Sequence, residues 1–241
     1  MIEYALFELE DAMTSSLKST SFSVEEKSFT RSYTRRKFHC GNMDFSVSSE
    51  CVGEYAMPIV KPYDGELPLQ LIPFNQSLSS EYHCCCVHFY IDDYLFERIW
   101  TAPDKNVPIL QRFQCIIGPD FSQYRDLPYP VRLYNCYRNR LLTQYFQSKG
   151  IKVIPNVTWS LPDSYDYSFS GIPANSVIAI NCSGVNRCSL SKYLWYKGYE
   201  EAISRLAPSF IIRYGSVMEG EKTEISRYFQ NERIKMVRYG R

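Results

Sequence analysis

The sequence predicts an α/β fold with a mainly parallel sheet. Six short apolar runs, rich in β-branched residues, recur from about residue 67 onward, and such runs are typical of strands that helices cover on both faces. Strand, helix and strand also follow one another twice in clean form, over 113–154 and over 176–212, which is the βαβ signature. With 45% hydrophobic and 22% charged residues, a chain of 241 residues can bury the core that this fold needs.

The predicted strands are short, and two of the connections between them are broken. Strands are expected at 69–74, 84–91, 113–117, 151–154, 176–180 and 210–212. The intervals 75–83 and 160–175 are too short or too interrupted for a full helix. A complete (β/α) barrel takes about 250 residues and eight strands. We therefore expect an incomplete or distorted TIM-like (β/α) barrel, with an open doubly wound α/β sheet as the alternative.

Helices are predicted where apolar residues recur three and four positions apart. The first spans 131–149 and is followed by Gly150 as its C-cap, and the second spans 189–206 and is stopped by Pro208. A third is expected at 221–236. In the first helix the expected buried stripe is Tyr134, Tyr137, Leu141 and Tyr145, whereas Arg132, Arg138, Asn139 and Arg140 lie largely off that stripe.

A change in pattern near residue 60 divides the chain. Residues 1–60 are expected to form an irregular N-terminal extension packed on the core, and residues 61–241 a single α/β domain with a C-terminal helix. The net charge of +1 excludes gross charge as an indication of the partner. No apolar run approaches the roughly 18 residues of a membrane span, and no secretory signal is visible, so no membrane association is expected.

The nine cysteines are interpreted as reduced structural thiols. No CxxC pair exists, so the zinc spacing is absent, and no motif specifies a cofactor. Strand alternation places Cys84 and Cys86 on one face and Cys85 on the other. Cys86 and His88 form a conceivable metal pair, but packing is favoured because no second ligand pair is visible. Free thiols are typical of the reducing cytoplasm, which is the predicted location.

The candidate site is built from the residues that follow the predicted strands, because ligands in parallel α/β folds bind beyond the carboxyl ends of the strands. Asp120 and Asp93 are the candidate catalytic pair, since two carboxyl groups in different environments can divide the roles of acid and base. Ser122, Arg138, Asn156, Trp159, Asn181 and Tyr214 are the candidate ligand-binding residues. Arg138 would hold an anion, or would instead form an internal salt bridge with Asp120.

This constellation suits an enzyme acting on a nucleotide, a nucleic-acid base or a sugar. A protein that binds a small molecule without turnover would use the same residues. A third hypothesis is a nucleic-acid-binding accessory protein, whose basic segment Arg31, Arg35, Arg36 and Lys37 and basic C-terminal tail would contact phosphates. A solvated basic loop is the simpler interpretation of that segment.

Several ordered motifs resemble an uncharacterised family. They are IDDYLFERIW at 91–100, GPDFS at 118–122, NCYR at 135–138, VIPNVTW at 153–159, GIPANS at 171–176 and RYG at 213–215. Together they resemble domain-of-unknown-function family 4417 of bacteria, phages and mobile elements, over about residues 70–216. The resemblance implies a bacterial or phage intracellular setting and brings no reaction with it. It also implies that the recurrent residues of the family match Asp93, Asp120, Ser122, Asn135, Arg138, Pro155, Trp159 and Tyr214.

Overall fold

The computed structural model of the chain describes residues 50–230. It begins with a small antiparallel pair, β1 (Cys51–Val52) and β2 (Met57–Pro58). Met57 is fully buried and packs with Cys136 and Tyr167. The part of the predicted N-terminal extension that precedes residue 50 lies outside the described residues.

Seven further strands of the described segment run parallel to their neighbours. They are β3 (Leu71–Pro73), β4 (Cys86–His88), β5 (Cys115–Ile117), β6 (Val153–Ile154), β7 (Val177–Asn181), β8 (Phe210–Tyr214) and β9 (Ser226–Phe229). Strands β3 to β6 form one sheet in chain order and β7 to β9 form a second, and a single parallel bridge joins Asn156 to Ala179 between them. The predicted α/β class with a mainly parallel sheet is confirmed. Hydrogen bonds within 50–230 do not close these strands into a ring.

The helices alternate with these strands. They are α1 (Phe74–Ser77), α2 (Arg98–Thr101), α3 (Pro103–Leu110), α4 (Tyr129–Ser148), α5 (Tyr165–Phe169) and α6 (Ser189–Leu206). The two long helices, α4 and α6, confirm the predictions at 131–149 and 189–206. Helices α1 and α5 are short. They fall at the intervals 75–83 and 160–175, where the sequence indicates no full helix. None of the helices between residues 50 and 230 is long and apolar enough to cross a membrane.

The helix predicted at 221–236 is wrong where the structure describes it. Residues Thr223–Ile225 form one 3-10 turn, and Ser226–Phe229 form strand β9, paired in parallel with β8. Without β9, strand β8 would present an unpaired backbone edge, and pairing that edge outweighs a helical spacing of only two or three apolar residues. Residues 231–236 lie outside the described segment.

The prediction of the buried side of α4 is also partly wrong. Leu141 and Tyr145 are buried as expected, but Tyr134 is 45% exposed while Arg132, Arg138, Asn139 and Arg140 are buried. The guanidinium of Arg140 donates to the backbone oxygens of Asn156, Ser168 and Ser170, which belong to segments packed against α4. Because these segments cover the helix on its polar side, buried arginine is stabilised by carbonyl acceptors that the sequence pattern does not reveal.

Alternation along the strands divides the core into two layers. Cys85, Val87 and Phe89 pack with helix residues, whereas Cys86 and Tyr90 point to the opposite face. That opposite face collects one cluster from both sheets: Tyr63, Cys86, Tyr90, Cys115, Ile117, Ile154, Ala179, Ile212 and Tyr214, with Leu71 and Phe229 packed against it. We call this set the inner cluster. It lies directly beneath the carboxyl ends of the strands.

Candidate functional site

Four consecutive strands deliver polar side chains to one edge of the structure. Tyr90 follows β4, Asp120 follows β5, Asn156 follows β6, and Asn181 ends β7. Because the strands are parallel neighbours, their carboxyl ends meet at the same edge, as the sequence analysis expects. These residues form the candidate site.

A chain of hydrogen bonds joins the four side chains. Asn156 donates from Nδ2 to Oδ1 of Asp120 at 2.8 Å, and Asn181 donates to Oδ2 at 3.4 Å. The hydroxyl of Tyr90 donates to Oδ1 of Asn156 at 2.9 Å. The backbone N–H of Ser183 donates to Oδ1 of Asn181, which orients that amide. Both oxygens of Asp120 are thus held by side-chain amides whose own orientation is determined by further contacts.

The pKa of the Asp120 carboxyl group lies well above the usual value for an aspartate. Burial raises its pKa to about 6, while the hydrogen bonds from Asn156 and Asn181 act in the opposite direction and the charge of Asp93 adds to the rise. A carboxyl group with this pKa is present in both protonation states at physiological pH. It can therefore accept a proton and return it, which is what a general acid–base requires.

Three aromatic side chains, His88, Tyr90 and Tyr214, lie together beside Asn156. The two tyrosines belong to the inner cluster. His88 lies 4.6 Å from Tyr214 and 5.5 Å from Tyr90 between ring centroids, and the two tyrosine rings are 5.1 Å apart. Burial lowers the pKa of His88 to about 3, so its imidazole is neutral at physiological pH. Burial, together with the charge of Asp120, raises the pKa of Tyr90. Tyr90 therefore stays protonated and acts as a hydrogen-bond donor.

Sequence reasoning selected Tyr214, missed Tyr90, and interpreted His88 as a packing residue without placing it at the site. The signal was present, since Cys86, His88 and Tyr90 alternate along one strand face that ends at the carboxyl edge. Within residues 50–230, no group of three or more histidine, cysteine or acidic side chains is arranged to bind a metal ion.

Asp93 and Ser122 form a separate contact beside the site. Ser122 donates to the carboxylate of Asp93 from its backbone nitrogen at 3.1 Å and from its hydroxyl at 2.9 Å. Asn135 donates to the backbone oxygen of Ser122 at 2.6 Å. Asp93 thus joins the loop after β4 to the loop after β5, on which Asp120 lies.

Arg138 is placed differently from the expected internal pair. Its guanidinium bonds Glu97 at 3.0 Å and Asn135 at 2.7 Å, and it lies 3.7 Å above the ring of Phe121. The expected salt bridge with Asp120 is wrong, because the guanidinium pairs with the carboxylate of Glu97 and with the amide oxygen of Asn135. Arg138 thus holds the loop that carries Asp120 without touching its carboxyl group.

Trp159 follows β6 and packs half-buried between Phe169 and Trp195. It lines a small pocket together with Val157, Thr158, Asn181 and Trp195. Its indole lies directly on the backbone of α6, since a Cβ at Gly198 would come within 2.0 Å of the indole Nε1. Asn181 therefore connects this pocket to Asp120.

Comparison with known proteins places the chain in a family. A family model described as a domain of unknown function, DUF4417, matches residues 49–232. The chain belongs to the DUF4417 family. The predicted resemblance is thereby confirmed, and the match extends beyond the expected 70–216 at both ends.

Two phage proteins are similar to this DUF4417 chain. The Gene 1 protein of Mycobacterium phage D29 is 34% identical over 164 residues, which cover 67% of this chain and 60% of the phage protein. The Gene 1 protein of Mycobacterium phage L5 is 32% identical over 178 residues, covering 73% of this chain and 77% of that protein. The chain thus spans about 60% of the length of the D29 relative. No solved structure matches.

A fully buried ion pair fixes the DUF4417 strand that carries Tyr214. Arg213 pairs with Glu221 where neither side chain is exposed, and Tyr228 of β9 donates to the same carboxylate at 2.8 Å. The guanidinium also lies 4.6 Å from the ring of Trp195 and donates to the backbone oxygen of Ile180. These contacts join β7, β8, β9 and α6 immediately behind the candidate site.

The basic residues of the nucleic-acid hypothesis fall largely outside the described part of this DUF4417 protein. Arg31, Arg35, Arg36 and Lys37 precede residue 50, and most of the basic tail follows residue 230. Arg227 is described, and its Nη1 donates to the backbone oxygen of Pro68 at 2.9 Å. That guanidinium is engaged in an internal contact.

Proposed function

We propose that this DUF4417 protein is an enzyme that acts on a nucleotide, a nucleic-acid base or a sugar, with Asp120 as its acid–base residue. The observation that carries the proposal is the half-buried Asp120, whose carboxyl pKa is raised by desolvation to about 6 and whose two oxygens accept from Asn156 and Asn181. Burying a titratable carboxyl is unfavourable for folding, and such groups are concentrated at functional sites.

Each neighbour of Asp120 has a role in this proposal. Asn156 and Asn181 hold the carboxyl group, and the remaining N–H of Asn181 is available to a substrate hydroxyl or base edge. Tyr90 keeps Asn156 in the orientation that presents its N–H to Asp120, because the tyrosine hydroxyl occupies the amide oxygen. Asp93 and Ser122 position the β5 loop, and Trp159 offers a face for a ring.

We also propose that β3 to β9 form an open barrel around the inner cluster. Strands from both sheets contribute to this single cluster, and the bridge between Asn156 and Ala179 continues the parallel order across the two sheets. In addition, Arg227 of β9 donates to the backbone oxygens of Leu67 and Pro68, just before β3. This arrangement would surround the site with strand ends, as in (β/α) barrels.

The proposed setting is the cytoplasm of a bacterial cell, with the phage relatives as one line of support. The second line is the state of the cysteines. All eight that lie in the described segment are free thiols, and several of them are fully buried. Reducing conditions preserve such thiols.

The test is a ligand screen on the purified full chain, followed by a turnover assay of each hit. Thermal unfolding is measured with nucleotides, nucleosides, sugars and sugar phosphates, since a ligand at 100 times its Kd adds about 2.7 kcal/mol of stability. We expect one of these classes to bind, and Asp120→Asn to remove turnover while the protein remains folded. In the wild type, the turnover rate should change with pH, with a transition near pH 6 that reflects the titration of Asp120.

Asp64→Asn is the matched control, because the side chain of Asp64 is 88% exposed. It should leave turnover unchanged. Turnover that survives Asp120→Asn would contradict the assignment of Asp120. Stabilisation by oligonucleotides alone, lost at high salt, would contradict the small-molecule site and support the nucleic-acid hypothesis.

A further inference from the structure

The pocket next to Asp120 restricts which ligands suit the site. It lies between the loop after β6, the end of β7 and the face of α6, and has a volume of about 50 Å³. Asn181 both lines this pocket and donates to Oδ2 of Asp120 at 3.4 Å. A ligand that contacts Asn181 in the pocket is therefore separated from the carboxyl group by a single side chain.

Two tryptophans are among the five residues that line the pocket. The ring centroids of Trp159 and Trp195 are 6.0 Å apart, with an angle of 42° between the ring planes. Thr158 and Asn181 supply polar groups to the same lining. Aromatic side chains combined with a few polar groups are typical of sites that bind a planar ring.

Three buried polar atoms in this region have no hydrogen-bond partner among the described residues, and one of them belongs to a residue that lines the pocket. Trp195 lines the pocket and is 5% exposed, and its indole N–H donates to no acceptor among the described residues. Gln123 uses its Nε2 to bond the backbone oxygen of Thr158 at 3.2 Å, while its own Oε1 accepts nothing there. The hydroxyl of Ser160, next to Trp159, is likewise buried and unpaired in this part of the chain.

Unpaired buried donors and acceptors are unfavourable, and native proteins contain few of them. The N–H of Trp195 requires an acceptor, and the side chains of Thr158 and Asn181 add hydrogen-bonding groups to the same pocket. One edge of a nucleobase provides acceptors and donors in a single plane, next to a ring that can pack on an indole. A free sugar provides hydroxyl groups but no planar ring.

We infer that this pocket binds the hydrogen-bonding edge of a nucleobase, so that the ligand of the Asp120 site is a nucleoside or nucleotide. The inference rests on the proposed function and narrows its substrate class. A volume of about 50 Å³ admits the edge of a base and leaves the rest of the nucleoside outside the pocket.

Nuclear magnetic resonance of the indole N–H groups tests this directly on the full chain. The protein has three tryptophans, so a ¹⁵N-labelled sample has three indole signals, which single Trp→Phe variants assign. Adenosine, guanosine, cytidine, uridine and ribose 5-phosphate are titrated separately. We expect at least one nucleoside to move the signals of Trp159 and Trp195 and to leave that of Trp100, which serves as the internal control.

Binding by variants provides the second measurement. Trp195→Phe retains an aromatic wall and removes the N–H, so the Kd of the nucleoside should rise at least about tenfold. Trp100→Phe is the matched control at another buried tryptophan, 6% exposed, and should leave the Kd unchanged. Removal of the base, as in ribose 5-phosphate, should abolish binding at the same concentrations.

The possible failures are distinguishable. Ribose 5-phosphate or another sugar that binds, depends on Asp120 and moves neither pocket indole would overturn the nucleobase inference and leave the proposed function standing. A nucleoside that binds wild type and Trp195→Phe equally, without shifting either indole, would also overturn it. If no nucleoside, nucleotide or sugar binds at all, the proposed function fails and the inference fails with it.

Discussion

The raised pKa of Asp120 serves the proposed chemistry, but the desolvation that causes it lowers the stability of the folded protein at neutral pH. Its pKa rises from the usual value of 3.8 to about 6, because burial disfavours the charged form. The folded state therefore binds this proton more tightly than the unfolded state does. The free energy of unfolding should fall as pH rises from about 4 to about 6, by on the order of 2–3 kcal/mol, and the loss is complete above that window.

Asp120→Asn should consequently stabilise the protein at neutral pH. The variant keeps the shape of the side chain and removes the buried charge, so its free energy of unfolding should exceed that of wild type at pH 7.5 and match it near pH 4. Urea denaturation at the two pH values measures this. Asp64→Asn should show no such pH-dependent gain, since Asp64 is exposed. A stability difference between Asp120→Asn and wild type that is the same at pH 4 and at pH 7.5 would contradict the assigned pKa.

At the scale of the element, helix α6 contains a glycine at the point where the side chain of Trp159 packs on its backbone. Gly198 lies in the middle of this 18-residue helix, where glycine is ordinarily less favourable than alanine by about 1 kcal/mol. Glycine is needed at this position because the indole of Trp159 occupies the space that a Cβ would take. A glycine inside a well-formed helical pattern therefore indicates a close approach, and the sequence contained that signal.

Gly198→Ala should destabilise the protein, in contrast to the usual gain from glycine to alanine in a helix. A Cβ placed 2.0 Å from the indole Nε1 must displace Trp159, at a cost of about 1–3 kcal/mol. Urea denaturation measures the free energy, and tryptophan fluorescence reports the displacement. Ser204→Ala, at an exposed position of the same helix, should change stability by less than about 0.5 kcal/mol. A more stable Gly198→Ala with unchanged fluorescence would show that Trp159 does not lie on α6.

At the scale of the whole molecule, one side chain spans the distance between the last and first parallel strands. Arg227 of β9 donates to the backbone oxygens of Leu67 and Pro68, which precede β3. The strands between them contribute to one inner cluster. This contact therefore brings together chain segments that are 160 residues apart in sequence.

Arg227→Met should loosen β9 without unfolding the rest. The variant keeps an apolar stem and removes the donors, so we expect faster amide hydrogen exchange in Ser226–Phe229 and a loss of about 1–2 kcal/mol in the free energy of unfolding. Arg205→Met removes two solvent-exposed ion pairs of α6, with Asp166 and Glu201, and should cost less than about 1 kcal/mol. Equal exchange rates in wild type and Arg227→Met would contradict a structural role for this contact.

The sequence by itself determined the α/β class, the two long helices and most of the strands, because hydrophobic periodicity reports which face of an element is buried. It also indicated Asp120, Asn156 and Asn181, since residues that follow parallel strands must meet at one edge. The contacts at that edge were decided by the tertiary structure. Tyr90 reaches Asn156, and Arg138 reaches Glu97 and not Asp120, across 66 and 41 residues respectively.

The same physical reason explains the errors in secondary structure and burial. Strand β9 forms because β8 offers an open backbone edge, and Arg140 is buried because carbonyl oxygens from distant loops surround it. Neither partner is near in sequence, so no local pattern can report it. The raised pKa of Asp120 has the same origin, because desolvation depends on everything that packs around the carboxyl group. Local sequence thus determined which elements form, and long-range packing decided which of their polar groups are buried, paired and available for chemistry.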